Sequence, residues 1–344
     1  MELDVICSPS AWQPLQSQWN NLLAASSTRV PFLRLEYLLA WWPRLGGATE
    51  WPHGSLYVVT AREHGQLVAA APLFKSVTKD GDPLMALVGS DEISDYLDFL
   101  ARPEYLSEFV DLLFDRFAAS DSPHCDLIDL YNLPKDSPTL PELRRAADRR
   151  GWLHYEKMLD FCSAVELPGD WERYLAQCVS KKERHEIRRK LRRLQTSAGF
   201  RWRFADGDTL EQDIDLLFRL MAFNDQKRDF LAPKMQEQFR AIIHSAHTGS
   251  FLRLAVMEIG GQSAAAFLAF DYDNRVWLYN CGQDPQFDAL SPGHTLLSLF
   301  IRWANHERRT AFDFMRGDEA YKARAGGVQS SIVRMTIERG HFCP

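Results

Sequence analysis

The sequence of 344 residues lacks long apolar runs, closely spaced cysteine pairs and low-complexity segments. Its longest apolar runs, such as SAAAFLAF at 263–270, are far shorter than the ~20 residues that a helix needs to span a bilayer. The six cysteines show no C-x-x-C spacing and no histidine at the separation of a zinc motif. The sequence therefore predicts no membrane span, no metal site and cysteines that stay reduced.

The N-terminal stretch MELDVICSPS has neither the basic start nor the apolar core of a secretory signal, so we expect a cytoplasmic protein. Hydrophobic residues make up 46% and charged residues 25% of the chain, which is the balance of an ordinary globular protein. Because one domain usually takes roughly 100–200 residues, this length predicts two domains.

Two segments of the chain resemble each other. SLYVVTAREHGQLVAAAPLF at 55–74 and FLRLAVMEIGGQSAAAFLAF at 251–270 align without gaps on their Gly-Gln pairs, with six identities. Each is an apolar run, a polar turn and a second apolar run, which is the pattern of an antiparallel hairpin. Two common hairpins can resemble each other by chance, but we favour a duplication.

The order of elements after each hairpin also repeats. A helix and a short strand follow in the first half, SEFVDLLFDRFAAS and CDLIDLYNL, and again in the second, GHTLLSLFIRWANHE and TAFDFMRG. Pro168 and Gly169 interrupt the chain between the halves. We therefore expect an N-terminal domain over 1–160 and a C-terminal domain over 161–344, both of the α+β class with mixed central sheets flanked by helices.

The second half contains a helix start of a kind that can bind an anion. The strand RVWLYNCG ends at Gly282, and a polar loop leads to Ser291, Pro292 and Gly293. A Pro or Gly in the first turn leaves backbone N–H groups directed out of the helix at its positive end. That geometry binds phosphate groups. Most helices that start in this way bind nothing, so both interpretations stay open.

A crowded polar run follows the last strand of this half. The strand TAFDFMRG breaks at Gly317, and the polar residues that come next are Asp318, Glu319, Tyr321, Lys322 and Arg324. Ligands often bind at strand ends, because loops there rest on a rigid scaffold. A carboxylate, a phenol and an ammonium within a few residues can serve as acid and base, although a solvated loop has the same residue types.

The stretch SKKERHEIRRKLRRL at 180–194 places eight Lys or Arg in a chain of net charge −6. Ser180 and Glu183 fit a capping box, and Ile187, Leu191 and Leu194 form one apolar stripe of a helix. Because the helix itself has no aromatic stacking residues, duplex binding ranks below three alternatives. These are a solvated face, contact with an anionic acceptor or tRNA, and docking on an anionic membrane surface.

Together these segments resemble a known family. The run YNCGQDPQFDALSPGHTLL…FDFMRGDEAYKARAG resembles the hallmark region of the CelD/BcsL-type, cellulose biosynthesis-associated acetyltransferase family, a branch of the GNAT superfamily. SKKERHEIRRKLRRL, EYLLAWW at 36–42 and SDYLDFL at 94–100 are similar to further elements of that family. The resemblance implies a tandem pair of GNAT-like domains, an arrangement shared with Fem-type peptidyltransferases, which add amino acids to cell-wall precursors.

The resemblance implies acyl-CoA as co-substrate, with its pyrophosphate at the helix start described above. The cofactor-binding residues would then be Gly282, Ser291, Pro292, Gly293, His294 and Thr295. The chain departs from the usual GNAT loop, since ALSPGHT offers one glycine. Asn224 and Lys227 stand where the family often has a histidine.

Roles in acyl transfer follow from the same resemblance and from the chemistry of the side chains. We expect Asp313 or Glu319 as the base and Tyr321 as the acid for the leaving group. The Fem resemblance places Lys322 beside the tetrahedral intermediate or the anionic group of the acceptor. The expected substrate-binding residues are Arg184, Arg188, Arg316, Asp95 and Tyr96.

The predicted activity is transfer of an acyl group, most simply acetyl, from acyl-CoA to an amine of an anionic acceptor. A sugar or a precursor of a polysaccharide or of the cell envelope fits that description. Fem-like transfer from aminoacyl-tRNA, and a non-catalytic protein that binds precursors or partners, remain alternatives.

Overall fold

The computed structural model describes residues 1–46, 51, 53–78, 80–89, 93–119, 125–196 and 199–339. The chain forms two compact units, the first from Met1–Asp160 with Ser331–Pro344 and the second from Phe161–Ser330. This division differs from the predicted domains at the C-terminal end, where the described residues 331–339 belong to the first unit. The reason is strand pairing, since the last strand lies antiparallel to a strand of the first unit, with Ile337 opposite Ile128.

The first unit begins with a strand and helices, continues through antiparallel strands and ends with helix–strand steps. Its elements are β1 (Glu2–Ile6), α1 (Pro9–Trp12), α2 (Gln16–Ala25), α3 (Leu35–Trp41), β2 (Ser55–Leu56), β3 (Val58–Glu63), β4 (Gln66–Ala71), β5 (Leu73–Val77), β6 (Pro83–Leu87), β7 (Leu100–Ala101), α4 (Leu106–Ala118), β8 (Leu127–Pro134), α5 (Thr139–Asp148) and parts of β9 (Leu153–Glu166) and β15 (Val328–Glu338). One sheet has the order β1-β3-β4-β7, and a second group follows the order β15-β8-β6-β5-β2, in which β6 and β8 run parallel.

From its second strand onward the second unit has a similar order of elements, with three helices, a hairpin and then alternating helices and strands. It contains the rest of β9, then α6 (Trp171–Gln177), α7 (Lys181–Gln195), β10 (Phe200–Phe204), α8 (Leu210–Met221), α9 (Asp225–Phe230), α10 (Pro233–Thr248), β11 (Leu252–Ile259), β12 (Gln262–Tyr272), β13 (Arg275–Gln283), α11 (Pro292–His306), β14 (Ala311–Arg316) and α12 (Ala320–Arg324). Its strands follow the order β10-β11-β12-β13-β14-β9, and here β13 and β14 run parallel. The predicted α+β class, with mixed sheets flanked by helices, is confirmed.

The two similar segments of the sequence form matching hairpins, β3–β4 and β11–β12. Both turns have two residues with positive φ, His64-Gly65 (50° and 76°) and Gly260-Gly261 (58° and 78°). These angles belong to the type I′ turn, whose twist suits a hairpin. Each hairpin also has a bulge, between residues 61 and 62 in one and 257 and 258 in the other. The bulges occupy the same place in the alignment, which supports a duplication.

Helices cover both faces of the sheet in the second unit. The helices α6, α7 and α11 share a core with one face, which includes Leu278, Leu296 and Phe300. On the other face Tyr279 stacks on Phe239 of α10, with 5.5 Å between ring centroids. Adjacent residues of β13 thus point to opposite layers, as expected of a buried strand. No helix in the described part of the chain has the length and apolarity needed to cross a membrane.

Candidate functional site

Strands β13 and β14 run parallel but separate after a short paired stretch. Their register covers Arg275–Trp277 opposite Ala311–Asp313, while β13 continues to Gln283 and β14 to Arg316. On its other edge β13 stays paired with β12, where the register skips Tyr279 in a bulge. A bulge bends a strand and increases its twist. The bulge and the separation coincide, and they leave an open gap in the sheet beyond Trp277.

A cavity of about 570 Å³ lies at this gap, wholly within the second unit. Its apolar wall includes Ile187, Phe267, Leu278 and Leu297. The polar residues that matter most on its wall are Glu183, Lys190, Lys227, His294, Tyr321 and Arg324. A concave, mostly apolar pocket of this size with a few convergent polar groups is typical of a small-molecule site.

The start of α11 borders the cavity, but its first turn is largely occupied by the protein itself. Ser291 takes a left-handed conformation (φ 51°), and Pro292 has no backbone N–H. The amide of Gly293 donates to Oε1 of Gln283 at 3.0 Å, and the amide of Thr295 donates to the carbonyl of Ser291 at 3.0 Å. The backbone therefore offers little of the amide cradle that a pyrophosphate uses at a helix start.

His294, on the same turn, contacts helix α7. Its Nε2 lies 2.9 Å from Oε1 of Glu183. Burial lowers the pKa of His294, the hydrogen bond to Glu183 opposes that effect, and the charges of Lys190 and Arg324 lower the pKa further. The imidazole is therefore neutral at pH 7. If Nε2 carries the proton, Nδ1 keeps a lone pair, and Nδ1 is buried without a hydrogen-bond partner among the described residues.

The contact with His294 changes the predicted capping box of α7. Oγ of Ser180 accepts from the amide of Glu183 at 3.2 Å, as predicted. The carboxylate of Glu183, which a capping box would turn back to the amide of Ser180, is bonded to His294 instead. Ser180 therefore caps the helix as predicted, whereas Glu183 connects α7 to His294 on the cavity wall.

The α7 arginines predicted to bind the substrate are engaged elsewhere. Arg184 donates to the carbonyl of Ala176 at 3.3 Å, and Arg188 lies 2.5 Å from the carboxylate of Glu172. The basic residue of α7 on the cavity wall is Lys190.

Lys190 and Arg324 are two cations of the cavity wall. Within the part of the chain that the structure describes, neither forms a hydrogen bond or an ion pair through its side chain. They come from α7 and α12, and both act on the same imidazole. Cations left unpaired beside a cavity favour an anionic ligand such as a carboxylate or phosphate. Asp288 is exposed on the same wall and adds one negative charge to it.

Three reactive groups meet near the gap itself. Lys227 reaches β13 from α9, and its Nζ donates to the carbonyl of Cys281 at 2.6 Å and lies 3.4 Å from the Cys281 sulfur. Tyr321 lies on the same cavity wall. Burial raises the pKa of Tyr321, and the charges of Cys281 and Glu319 raise it further. The phenol therefore stays protonated at neutral pH and can act as a proton donor.

The polar run after β14 satisfies most of its charges internally. Lys322 has a side chain only 3% exposed, and its Nζ donates to the carbonyls of Met315 (3.1 Å), Arg316 (2.5 Å) and Gly317 (3.1 Å). It also lies 2.9 Å from Oε2 of Glu319. Burial would raise the pKa of Glu319, but the hydrogen bond from Lys322 keeps it below its ordinary value.

Asp313 also stabilises the segment between β14 and α12. It is 2% exposed, its Oδ1 accepts from the amide of Met315 at 2.8 Å, and its Oδ2 lies 3.4 Å from Arg275. Met315 has a positive φ of 63°, which is costly for a residue with a side chain. The carboxylate stabilises that conformation.

The structure separates the predicted catalytic residues. Tyr321 is on the cavity wall, whereas Asp313, Glu319 and Lys322 belong to the connection between β14 and α12. Because four oxygens surround the ammonium of Lys322, we revise its predicted contact with the reacting group to a structural role. Neither carboxylate is among the cavity-lining residues that the structure describes, so the assignment of the base is revised as well.

Only some of the predicted cofactor-binding residues line the cavity. Gly282, Gly293 and His294 line the cavity, while Ser291, Pro292 and Thr295 do not belong to its described wall. Thr295 is fully buried, and its hydroxyl donates within its own helix. A side chain at Gly282 would collide with the backbone of α8 at residues 220–221, so this glycine permits close packing of helix and strand.

The remaining predicted binding residues are not among the described residues that line the cavity. Arg316 supplies its carbonyl to Lys322. Asp95 and Tyr96 are buried residues of the first unit, 8% and 7% exposed. Among the described residues, no three His, Cys, Asp or Glu side chains form a group that could bind a metal.

Sequence reasoning missed Glu183, Lys190, Lys227 and Arg324 as members of one site. Each had a weak signal: Glu183 as a cap, Lys227 as a departure from the family pattern, and the two others as members of charged runs. The four residues come from α7, α9 and α12, which are far apart in the chain. Only their meeting at the cavity identifies them.

Comparisons with known proteins agree with this architecture. Residues 181–323 match the model of the acetyltransferase (GNAT) domain family, and this segment contains most of the cavity wall. The fold is similar to that of FemX, with a TM-score of 0.69 at 11% identity over 97% of this chain and 97% of that chain. It is also similar to a conserved protein of unknown function from Bacteroides thetaiotaomicron VPI-5482, with a TM-score of 0.62 at 12% identity over 98% and 100% of the two chains.

No curated protein matches the sequence. At these identities the solved structures show the fold alone. With the family match, they confirm the predicted GNAT-like architecture.

Proposed function

We propose that this protein is an N-acyltransferase that moves an acyl group from acyl-CoA to an amine held in the cavity of the second unit. The gap between the parallel strands β13 and β14 carries the proposal. An unpaired strand edge inside a sheet offers N–H and C=O groups to an extended ligand. The gap falls within the segment that matches the acetyltransferase (GNAT) domain.

The residues present fit the anionic part of acyl-CoA through side chains. Gln283 already occupies the amide of Gly293, so an amide cradle for the pyrophosphate is not supported. Lys190 and Arg324 are unpaired among the described residues and would hold the phosphate groups. When bound, acyl-CoA supplies an activated thioester.

The cavity wall also supplies groups for proton transfer. His294 and Glu183 both line the cavity and are hydrogen-bonded to each other, and this pair is proposed to take the proton of the acceptor amine. Tyr321 remains protonated because burial raises its pKa, so it can protonate the leaving group. We therefore propose the His294–Glu183 pair as the base in place of Asp313 or Glu319, and we keep Tyr321 as the acid.

The acceptor class follows from the resemblance to the CelD/BcsL-type acetyltransferases and from the charge of the wall. Glu183 and Asp288 favour an ammonium group at the cavity, while Lys190 and Arg324 favour an anionic group nearby. An amino sugar attached to a phosphate carrier, or another cell-envelope precursor with both charges, meets these requirements. The acyl group is proposed to be acetyl.

A direct test measures CoA release in the presence of acetyl-CoA and a panel of amino sugars, nucleotide-linked amino sugars and amines without an anionic group. We expect turnover with an anionic acceptor. Replacing Lys190 or Arg324 with Ala should weaken CoA binding about 10-fold to 100-fold, the value of a charge-assisted hydrogen bond.

Arg192→Ala and Arg193→Ala are matched controls, because they remove exposed charges of the same helix outside the cavity wall. Equal weakening by the controls would show that overall charge, and not the wall, attracts CoA. If neither CoA binding nor release is detected, the proposal is wrong.

A second function has one observation in its favour. Lys181 and Lys182 are exposed at the start of α7, and Arg192 and Arg193 are exposed in its last turn, close in sequence to Lys190. Such a strip can contact an RNA backbone, which fits Fem-like transfer from aminoacyl-tRNA. Binding of tRNA that weakens with salt and with the loss of these four charges, together with no binding of CoA, would favour this donor.

A further inference from the structure

The ammonium of Lys227 lies at the gap between β13 and β14. Helix α9 is capped by Asn224, whose Oδ1 accepts from the amide of Lys227 at 3.0 Å. The side chain then extends to β13, where Nζ donates to the carbonyl of Cys281 at 2.6 Å. Cys281 belongs to the part of β13 that lies beyond its register with β14. Lys227 is therefore fixed at both ends, with its charge beside the separated strand.

The donors of Lys227 are not used up by this contact. An ammonium has three N–H groups. One is taken by the Cys281 carbonyl, and the Cys281 sulfur at 3.4 Å is a weak acceptor. Within the described residues no carboxylate forms an ion pair with Lys227, although its charge contributes to the lowered pKa of Glu319. At least one N–H remains for an oxygen atom in the cavity.

Lys322 provides the contrast. Its ammonium is surrounded by three carbonyls and the carboxylate of Glu319, and its side chain is 3% exposed. Lys227 is half-buried and lines the cavity. Of these two lysines, only Lys227 combines a fixed position with a donor that is free to reach a ligand.

We propose that Lys227 is a catalytic residue that donates a hydrogen bond to the acyl oxygen as it becomes an oxyanion. The inference rests on the proposed function, which places the acyl group at the gap. The amine nitrogen forms a bond to the acyl carbon, and the π electrons of the carbonyl move to its oxygen. When the intermediate collapses, the carbonyl re-forms and the bond between the acyl carbon and sulfur breaks with its electron pair on sulfur. The thiolate of CoA takes a proton from Tyr321, and the proton of the amine goes to the His294–Glu183 pair. Lys227 keeps all its protons throughout and supplies charge and geometry alone.

The test compares Lys227→Met, which keeps the length of the side chain without its charge, with Lys234→Met. Lys234 is exposed on the following helix and outside the cavity wall, so this control removes the same charge. With saturating donor and acceptor, we expect kcat of the Lys227→Met variant to fall about 100-fold to 1,000-fold, the usual effect of one oxyanion donor. KM for the acceptor and Kd for CoA should stay within about threefold, because the bond strengthens in the transition state.

Recovery of kcat by chemical modification distinguishes a catalytic role of Lys227 from a purely structural one. Treating Lys227→Cys with 2-bromoethylamine restores an ammonium at nearly the same distance, and kcat should recover, with treated wild type as control. Lys227→Arg keeps a cation at this position. It is the variant to be measured if Lys227→Met does not fold.

Two results would overturn the inference while leaving the proposed function intact. One is an active wild type together with a kcat of Lys227→Met within about threefold of it. The other is a Lys227→Met variant that binds CoA about 100-fold to 1,000-fold more weakly and also loses thermal stability, together with no recovery of kcat when Lys227→Cys is aminoethylated. A wild type without turnover for any donor would reject the proposed function, and this inference with it.

Discussion

Two polar regions of the second unit use their charges in opposite ways. In the connection between β14 and α12, Lys322 and Asp313 bond to nearby backbone groups, and Lys322 also pairs with Glu319. On the cavity wall, Lys190 and Arg324 have no hydrogen-bond or ion-pair partners among the described residues. Buried polar groups normally find partners. Groups whose partners are all internal stabilise the fold, and those left unpaired at a cavity are available to a ligand.

The largest expected effect on stability belongs to Lys322. Replacing it with Met leaves three carbonyls and a carboxylate without their cation, which should lower the free energy of unfolding by about 3 kcal/mol. Lys227→Met removes one carbonyl contact and should cost less than about 1 kcal/mol. Urea unfolding of both variants measures the difference. A Lys322→Met variant that is fully stable but inactive would show that Lys322 takes part in the reaction and is not only structural.

An intermediate effect on stability is expected at Gly282, a residue of the cavity wall that packs against α8. A Cβ there would press on the backbone of α8 at residues 220–221, so Gly282→Ala should lower stability by about 1–3 kcal/mol. Gly207→Ala is the matched control, since its Cβ would meet nothing closer than 4.0 Å. Thermal unfolding of the two variants gives the comparison. If Gly282→Ala keeps its melting temperature and loses only CoA binding, the glycine serves the ligand, as the sequence predicted.

The smallest effect concerns the pH dependence of stability. Burial, together with Lys190 and Arg324, holds the pKa of His294 below the ordinary 6.5 against the opposing effect of Glu183. The folded chain therefore resists protonation more than the unfolded chain does. This contribution to stability is present above pH 6.5 and is lost as the pH falls through the lower pKa of the folded state.

Urea midpoints at about pH 7.5 and about pH 5 measure this contribution. The midpoint of the wild type should fall more on acidification than that of His294→Gln. His306→Gln is the control, because His306 is exposed at the end of the same helix. Equal pH dependence in wild type and His294→Gln would show that the imidazole is not held neutral by the fold.

Local features of the fold could be predicted because they depend on neighbouring residues. The Gly-Gln hairpins form with the same turn geometry. The cap of α7 by Ser180, the helix after Ser291 and the strand that ends near Gly317 also match the expected positions. Turn chemistry, caps and apolar periodicity act within a few residues, so these elements follow from the order of the amino acids.

The candidate site was predictable only in part. Tyr321, Gly293 and His294 were recognised from the order of motifs, and they line the cavity. The densest polar run, at 313–322, drew attention to Lys322, but density in sequence does not show whether a charge is already paired. That depends on backbone carbonyls brought together by a left-handed residue, Met315, and by Gly317.

The amino-acid order accounts for the α+β class, the repeated hairpins and the helix that follows β13, because each of these depends on short-range preferences. The tertiary structure alone decided three matters: the separation of β13 from β14, the place of 331–339 in the first unit, and the choice between Lys322 and Lys227. Each depends on which distant segments meet. Pairing and desolvation are properties of that meeting, so the same lysine side chain stabilises the fold at one position and remains open to a ligand at the other.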